Sequence, residues 1–113
     1  MVFFEITARY GACLVKVEAE WDEAKAARNL LERGLHFADA AGFNWATAQT
    51  FADERTEYGE ERFMSRGMIG ERLHILVFVL REDKLRIISF RKANRREQDA
   101  YANETGRPIR EAR

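Results

Sequence analysis

The chain has 113 residues, of which 46% are hydrophobic and 34% are charged, and its formal net charge at pH 7 is zero. This balance excludes a disordered chain and predicts one globular domain over residues 1–113. The single cysteine, Cys13, excludes an internal disulfide and is typical of a reducing compartment. The first 17 residues lack the order of a signal peptide, and the longest apolar run, residues 75–80, is too short for a membrane span. We therefore expect a cytoplasmic protein that does not bind membranes.

Basic and acidic residues are unevenly distributed along the chain. Residues 1–61 contain 6 basic and 12 acidic side chains, whereas residues 62–113 contain 13 basic and 7 acidic ones. Such asymmetry indicates a surface that binds a polyanion, provided that the basic residues also cluster in space.

The chain before the first helix is expected to contain a strand. Residues 12–20 alternate between apolar and polar side chains, which is typical of a strand. Residues 1–9 fit either a further strand or a disordered extension, so residues 1–16 are a possible N-terminal extension of the domain.

Two helices are predicted next. Asp22 is placed to cap a helix that begins at Glu23 and that Gly34 ends. An apolar stripe at helical spacing is expected to turn this helix toward the core. Residues 36–43 suggest a second short helix. The stripe consists of Ala24, Ala27, Leu30 and Leu31, and the inward residues of the second helix are Phe37, Ala40 and Ala41.

From about residue 48 the pattern changes to that of strands joined by short turns, which force antiparallel neighbours. The predicted strands are residues 48–56, 61–66, 72–82 and 84–92, with turns at Gly59, Gly67, Gly70 and residues 82–83. Residues 73–80 are apolar on both faces apart from His74, which indicates a central strand that is covered on both sides or lies near a subunit contact.

The C-terminal part predicts a last helix. Asn94 and Glu97 have the spacing of a capping box, and the helix runs to about residue 104, before a loose tail over residues 105–113. The predicted fold is therefore α+β, with two N-terminal helices, an antiparallel sheet of four or five strands and a C-terminal helix.

The junction between the last strand and the last helix is strongly basic. Alternation assigns Leu85, Ile87, Ser89 and Arg91 to one face of the strand and Arg86, Ile88, Phe90 and Lys92 to the other. Arg91, Lys92, Arg95 and Arg96 crowd the start of the helix, where positive charge opposes the helix dipole and a bound phosphate would offset the repulsion. The sequence fits either a phosphate site or a solvated basic turn. If these guanidinium groups were splayed apart, or each locked to a carboxylate of the same chain, the case for RNA cleavage would rest on family resemblance alone.

Other candidates also have two interpretations. Glu97 is either the acid of the capping box or a functional residue, as a general base or as a group that positions an arginine. Arg62 is either a surface ion pair or a second phosphate ligand. His74 is expected in the core, and His36 as a cap or an exposed residue. These histidines and Cys13 have no metal-ligand spacing, so we predict no metal ion and no cofactor.

RNA cleavage does not require a histidine. The 2′-hydroxyl of RNA is the nucleophile, so a protein needs only to position the strand, stabilise charge on the phosphate and move protons. Arginine and lysine can provide the stabilisation, and a carboxylate or a tyrosine can assist proton transfer.

Several blocks of the sequence resemble the BrnT family of ribonuclease toxins. Residues 21–40 begin with Trp21-Asp22, followed by Lys25 and Asn29, and residues 59–62, 86–93 and 95–101 are similar to the later blocks of that family in the same order. The resemblance implies a compact RelE-like fold and cleavage of RNA without a cofactor. It also implies neutralisation by a DNA-binding antitoxin, BrnA, through which alone the toxin would reach operator DNA.

The resemblance also implies site residues. It implies catalytic roles for Arg62, Arg91, Lys92 and Glu97 and RNA-binding roles for Arg86 and Tyr101. Arg95 and Arg96 are expected to bind RNA because they belong to the basic junction. The sequence departs from the family at Phe90, where alanine is usual, and at Glu32-Arg33, which replace a common Lys-His, so a role for that histidine cannot apply here. The alternatives are a non-catalytic module that binds nucleic acid or protein, and a structural partner used only for assembly.

Overall fold

The computed structural model describes residues 2–7, 14–57, 59–82 and 84–106, so Cys13 and most of the predicted tail lie outside the described residues. Within these ranges the chain forms a mixed α+β fold, as predicted. In chain order the elements are β1 (Val2–Thr7), β2 (Leu14–Trp21), α1 (Glu23–Arg33), a 3₁₀ helix (Phe37–Gly42), β3 (Asn44–Glu57), β4 (Glu60–Ile69), β5 (Arg72–Arg81), β6 (Lys84–Lys92) and α2 (Arg95–Thr105).

The strands form one six-stranded sheet in the order β1-β2-β6-β5-β4-β3. The turns between β3 and β6 are short and give antiparallel pairs, as predicted. The expected sheet of four or five antiparallel strands is nevertheless wrong in two respects. Residues 2–7 add β1 as an edge strand, and β2 pairs with β6 in parallel, which is possible because a long stretch of chain connects them.

Helix α1 has the predicted limits but not the predicted orientation. The Asp22 carboxylate accepts hydrogen bonds from two backbone N–H groups of the first turn, and Gly34 closes the helix in the left-handed region at φ 73°. The stripe expected to face the core is exposed instead, with Leu30 at 48% and Leu31 at 87% exposure.

Asn29 explains the orientation of α1. Its side-chain amide is buried and donates hydrogen bonds to the carbonyl oxygens of Leu35, at 2.7 Å, and Phe90, at 2.9 Å. The side of α1 that carries Asn29 and the fully buried Ala26 therefore faces the sheet, because an amide that satisfies two carbonyl groups cannot turn to solvent without leaving both unpaired.

Two further predictions need correction. The second predicted helix is a 3₁₀ helix, in which Phe37 and Ala40 are buried but Ala41 is exposed. Gly67, predicted as a turn, is a buried residue inside β4, where a Cβ would come within 2.7 Å of the Phe43 ring.

Both faces of the sheet carry an apolar cluster, so the central position predicted for residues 73–80 is confirmed. One face packs against α1 and the 3₁₀ helix, and α2 covers part of the other, which we call the α2 face. The buried members of the first cluster include Phe4, Phe37, Leu76, Phe78, Leu85, Ile87 and Phe90, and those of the second are Leu73, Ile75, Ala93 and Tyr101.

A β-bulge in β6 changes the predicted assignment of faces. The register with β5 shifts next to Val77, so that Ile88 has no partner and both Ile87 and Phe90 point into the first cluster. Strict alternation placed Arg86 and Arg91 on opposite faces. The bulge brings them to the same face.

Candidate functional site

Four arginines form a rectangle on the α2 face, and we call them the arginine frame. Two belong to β4 and two to β6, with β5 between them. Across the strands, one arginine of β4 and one of β6 are the partners of Val79 on β5, and the other two are the partners of Ile75. Ordinary strand geometry makes the rectangle about 10 Å wide across the strands and about 13 Å long. The frame consists of Arg62 and Arg66 on β4 and Arg86 and Arg91 on β6.

Each member of the arginine frame forms an ion pair with a carboxylate from a flanking element. Strands β2 and β3 supply one acid each, and α2 supplies two. The pairs are Arg86–Glu20 at 3.8 Å, Arg62–Asp53 at 3.5 Å, Arg91–Glu97 at 2.7 Å, and Arg66–Glu104. The frame is therefore charge-balanced, and the unopposed cluster of cations expected from the sequence is not what the fold presents.

The pair between Arg91 and Glu97 is the best formed of these in geometry. Two guanidinium nitrogens of Arg91 donate to the two carboxylate oxygens of Glu97, at 2.7 Å and 2.8 Å. The Arg91 guanidinium lowers the pKa of Glu97, with a further contribution from the Asn94 backbone, and Glu97 raises the pKa of Arg91. Glu97 is therefore ionised at neutral pH. The predicted capping box is also present, because Glu97 accepts the backbone N–H of Asn94.

The other predicted basic residues do not join Arg91. The cross-strand partner of Lys92 is His74, whose ring stacks on Phe90, so Lys92 lies toward the opposite face of the sheet. Arg95 and Arg96 are exposed on the first turn of α2, where Arg95 pairs with Asp99 at 3.3 Å. The predicted cluster is thus divided between two sheet faces and a helix surface, and this is the outcome that leaves the case for RNA cleavage to family resemblance.

Tyr101 is fully buried under α2. Its hydroxyl donates a hydrogen bond to the carbonyl oxygen of Thr47, at 2.5 Å, and its ring belongs to the second apolar cluster. The residue fastens α2 to β3 and has no exposed surface with which to contact RNA.

Neither histidine lies on the α2 face. His74 is buried, as predicted, with Nδ1 at 3.0 Å from the carbonyl oxygen of Arg72, and burial lowers the pKa of its imidazole. His36 caps the 3₁₀ helix by accepting the N–H of Ala38, which confirms one of its two predicted roles.

A neutral strip runs across the strands between the two ends of the arginine frame. Its outermost residue, Phe51 on the edge strand β3, is 41% exposed, and the Arg66 guanidinium lies 5.2 Å from the centroid of its ring. The strip consists of the cross-strand neighbours Phe51, Met64, Val77 and Ser89.

The family comparison decides the class of protein. The family model for the ribonuclease toxin, BrnT, of type II toxin–antitoxin systems matches residues 21–97, which is more than half of the chain. The chain belongs to the BrnT family. No curated protein matches it in sequence. As a BrnT-family member the protein is a ribonuclease toxin, with RNA as its substrate class and an antitoxin as its partner.

The BrnT match contains the whole arginine frame and Glu97 but ends before Tyr101 and Glu104. Sequence reasoning missed Arg66 and Phe51. Arg66 could have been found from spacing, because residues four apart in a strand share a face and Arg62 was already a candidate. Phe51 had no such signal, since its place beside Arg66 follows from the β3–β4 register.

Two absences concern the described ranges of the chain. No group of three histidine, cysteine, aspartate or glutamate side chains in those ranges is arranged to hold a metal ion. None of the helices in the same ranges has the length and hydrophobicity that a membrane span requires.

Proposed function

We propose that this BrnT-family toxin is a metal-independent endoribonuclease that acts at the arginine frame. The 2′-oxygen of the substrate attacks the adjacent phosphorus and the bond to the 5′-oxygen breaks. The proton of the 2′-hydroxyl leaves to a base, and the departing 5′-oxygen takes up a proton. The products are a 2′,3′-cyclic phosphate and a 5′-hydroxyl. The arginines stabilise the extra negative charge that the phosphate carries in the transition state.

Family membership carries the cleavage proposal, and the row formed by Arg62, Val79 and Arg86 supports its location on the α2 face. The two arginines stand on either side of Val79, which is 1% exposed although it belongs to neither apolar cluster. The Arg86–Glu20 pair is long, at 3.8 Å, and its side chains are 29% and 31% exposed, so it contributes only about 0–1 kcal/mol. The Arg62–Asp53 pair, at 3.5 Å, has side chains that are only 13% and 14% exposed and is costlier to break. A phosphate that accepts two parallel hydrogen bonds from the Arg86 guanidinium therefore competes well with Glu20.

Glu97 acts in this proposal by positioning Arg91. Both of its oxygens are engaged by Arg91, and its lowered pKa makes it a weak proton acceptor at neutral pH. Arg95, Arg96 and, from the other face, Lys92 add positive potential that draws RNA toward the sheet.

We further propose that the antitoxin is a BrnA-like DNA-binding protein and that this toxin reaches operator DNA only through it. Family membership supports an antitoxin partner. Co-expression with the product of the adjacent gene should yield a stable complex that binds operator DNA, whereas the free toxin should not.

The proposed activity is tested with purified, antitoxin-free protein and single-stranded RNA in the presence of EDTA. Wild type should produce fragments with 5′-hydroxyl and 2′,3′-cyclic phosphate ends. Arg86→Ala and Arg91→Ala should each reduce cleavage by about 10²-fold, the scale of losing one charge-stabilising donor. Arg28→Ala is the matched control, because Arg28 is an exposed arginine on α1, and should cleave like wild type. Absence of cleavage, or full activity in both frame variants, would contradict the proposal.

The balanced charges of the arginine frame favour one alternative. A face on which each arginine of the frame is already paired also suits a module that binds RNA or protein without cleaving it. Salt-dependent RNA binding with the RNA intact after incubation would select that alternative.

A further inference from the structure

We propose that Phe51 is a stacking platform for an unpaired base of the RNA that the arginine frame holds. The inference rests on the proposed function, because the frame must first bring the strand to the α2 face. It assigns Phe51 a role in positioning the substrate and makes single-stranded RNA the preferred substrate.

The first support is the exposure of the ring. Phe51 is 41% exposed on an edge strand, next to Met64 on the same sheet face. A large aromatic side chain gains little stability in that position. Aromatic side chains on a sheet surface are, however, suited to stacking on the bases of single-stranded RNA, since each base has a π-face.

The second support is the way in which the ring is held. The guanidinium of Arg66 lies 5.2 Å from the ring centroid, and Gln49 and Glu104 both bind Arg66. The Arg66 side chain is only 11% exposed, so it is a fixed partner for Phe51. A ring that is already oriented loses less conformational entropy when a base stacks on it.

The third support is the distribution of charge around the ring. The neutral strip leads from Phe51 to Ser89, about 14 Å away across three strand spacings. The arginine frame borders the strip on both sides, with Arg62 and Arg86 in the row on one side and Arg66 and Arg91 in the row on the other. Phosphates can therefore lie over Arg86 and Arg91, whose side chains are 29% and 32% exposed, while a base lies over the strip. This combination of flanking cations and an exposed ring fits a nucleotide chain better than an apolar protein segment.

The experiment separates stacking from phosphate binding. The probe is a 2′-O-methyl RNA oligonucleotide, which cannot be cleaved because its 2′-oxygen carries no proton. A second oligonucleotide of the same length carries abasic sites. Phe51→Ala should weaken binding of the first about tenfold and leave binding of the second unchanged, and Phe51→Trp should bind the first at least as well as wild type.

Phe3 provides the matched control. It is a phenylalanine of similar exposure, 43%, on β1, the edge strand at the other end of the strand order from β3. Phe3→Ala should bind both oligonucleotides like wild type.

Two outcomes would overturn the proposal that Phe51 is a stacking platform. Phe51→Ala with wild-type affinity for the base-containing oligonucleotide would show that no base stacks there. Equal weakening of both oligonucleotides would show that the ring supports only the phosphate contacts. Failure of the proposed function would be distinct, because Arg86→Ala and Arg91→Ala would then cleave RNA as fast as wild type whatever Phe51→Ala does to binding.

Discussion

Glu97 binds Arg91 through both carboxylate oxygens, and one of these oxygens, Oε1, also accepts the backbone N–H of Asn94 at 2.9 Å. One side chain thus completes the cap of α2 and fixes an arginine of the last strand. Arg91, Asn94 and Glu97 together join β6 to α2. The predicted helix cap and the predicted functional residue are therefore parts of one structural unit.

Replacing Glu97 by glutamine separates the two roles. Glutamine can still accept the Asn94 N–H, but its single oxygen cannot hold Arg91 in a bidentate pair. We expect Glu97→Gln to lower the free energy of unfolding by about 1–2 kcal/mol and to slow RNA cleavage, while the pH–rate profile keeps its shape. Loss of the acidic limb of that profile would show instead that Glu97 is a general base. Asp99→Asn, on the exposed side of the same helix, is the control and should change stability by less than about 0.5 kcal/mol.

The Tyr101 hydroxyl is expected to contribute to stability alone. Tyr101→Phe removes the hydrogen bond to the Thr47 carbonyl and leaves a partly buried acceptor without this donor. The free energy of unfolding should fall by about 1–2 kcal/mol in urea titrations, and the cleavage rate of the folded enzyme should not change. If Tyr101→Phe lost cleavage activity but kept its free energy of unfolding, the result would support the contact with RNA that the sequence suggested.

His74 should make the protein less stable in mild acid. Burial lowers the pKa of its imidazole below the ordinary value of 6.5, so below pH 6.5 the unfolded chain takes up a proton that the folded chain does not. The stability linked to His74 is complete above pH 6.5 and declines as the pH falls from 6.5 toward the folded pKa. Urea unfolding at several pH values should show this decline in wild type and a smaller one in His74→Phe, with stability at pH 7.5 as the reference. An equal slope in both proteins would contradict the assignment.

The buried amide of Asn29 should tolerate almost no change. Asn29→Asp keeps the shape but turns a carboxylate toward the carbonyl oxygens of Leu35 and Phe90, which can then find no donor in it. We expect a loss of about 3 kcal/mol or more in the free energy of unfolding. Asn103→Asp, the same exchange at an exposed position of α2, should alter it by less than about 0.5 kcal/mol. A small effect at Asn29 would mean that this amide does not fix α1 to β6.

The orientation of α1 can be tested by comparing substitutions on its two sides. A change in the exposed apolar stripe should leave stability unchanged, whereas a change on the buried side should lower it. Leu31→Lys should leave the melting temperature of the isolated toxin nearly unchanged, because the side chain is 87% exposed. Ala26→Leu should cost about 1–3 kcal/mol, since Ala26 is fully buried and has no room for a larger side chain. The reverse result would restore the orientation that the sequence pattern suggested.

Local chemistry explains which parts of the fold could be predicted. Asp22, Gly34 and the Asn94–Glu97 pair set helix ends through bonds within a few residues, and short turns force strands β3 to β6 to pair antiparallel. The blocks that carry the family resemblance are also read directly from the chain, and the family match confirms them.

The sequence by itself determined the α+β class, the helix ends, the central strand and membership in the BrnT family, because each follows from residues that are close in the chain or from motifs. Only the tertiary structure decided the parallel contact of β2 with β6, the face of α1 that is buried and the carboxylates that Arg66 and Arg86 meet. These depend on residues tens of positions apart, as in the pair of Arg66 with Glu104, and on a single bulge at Ile88 that brings Arg86 and Arg91 to one face. Alternation along one strand cannot contain that information, because the bulge arises only when the strand is paired with its neighbour.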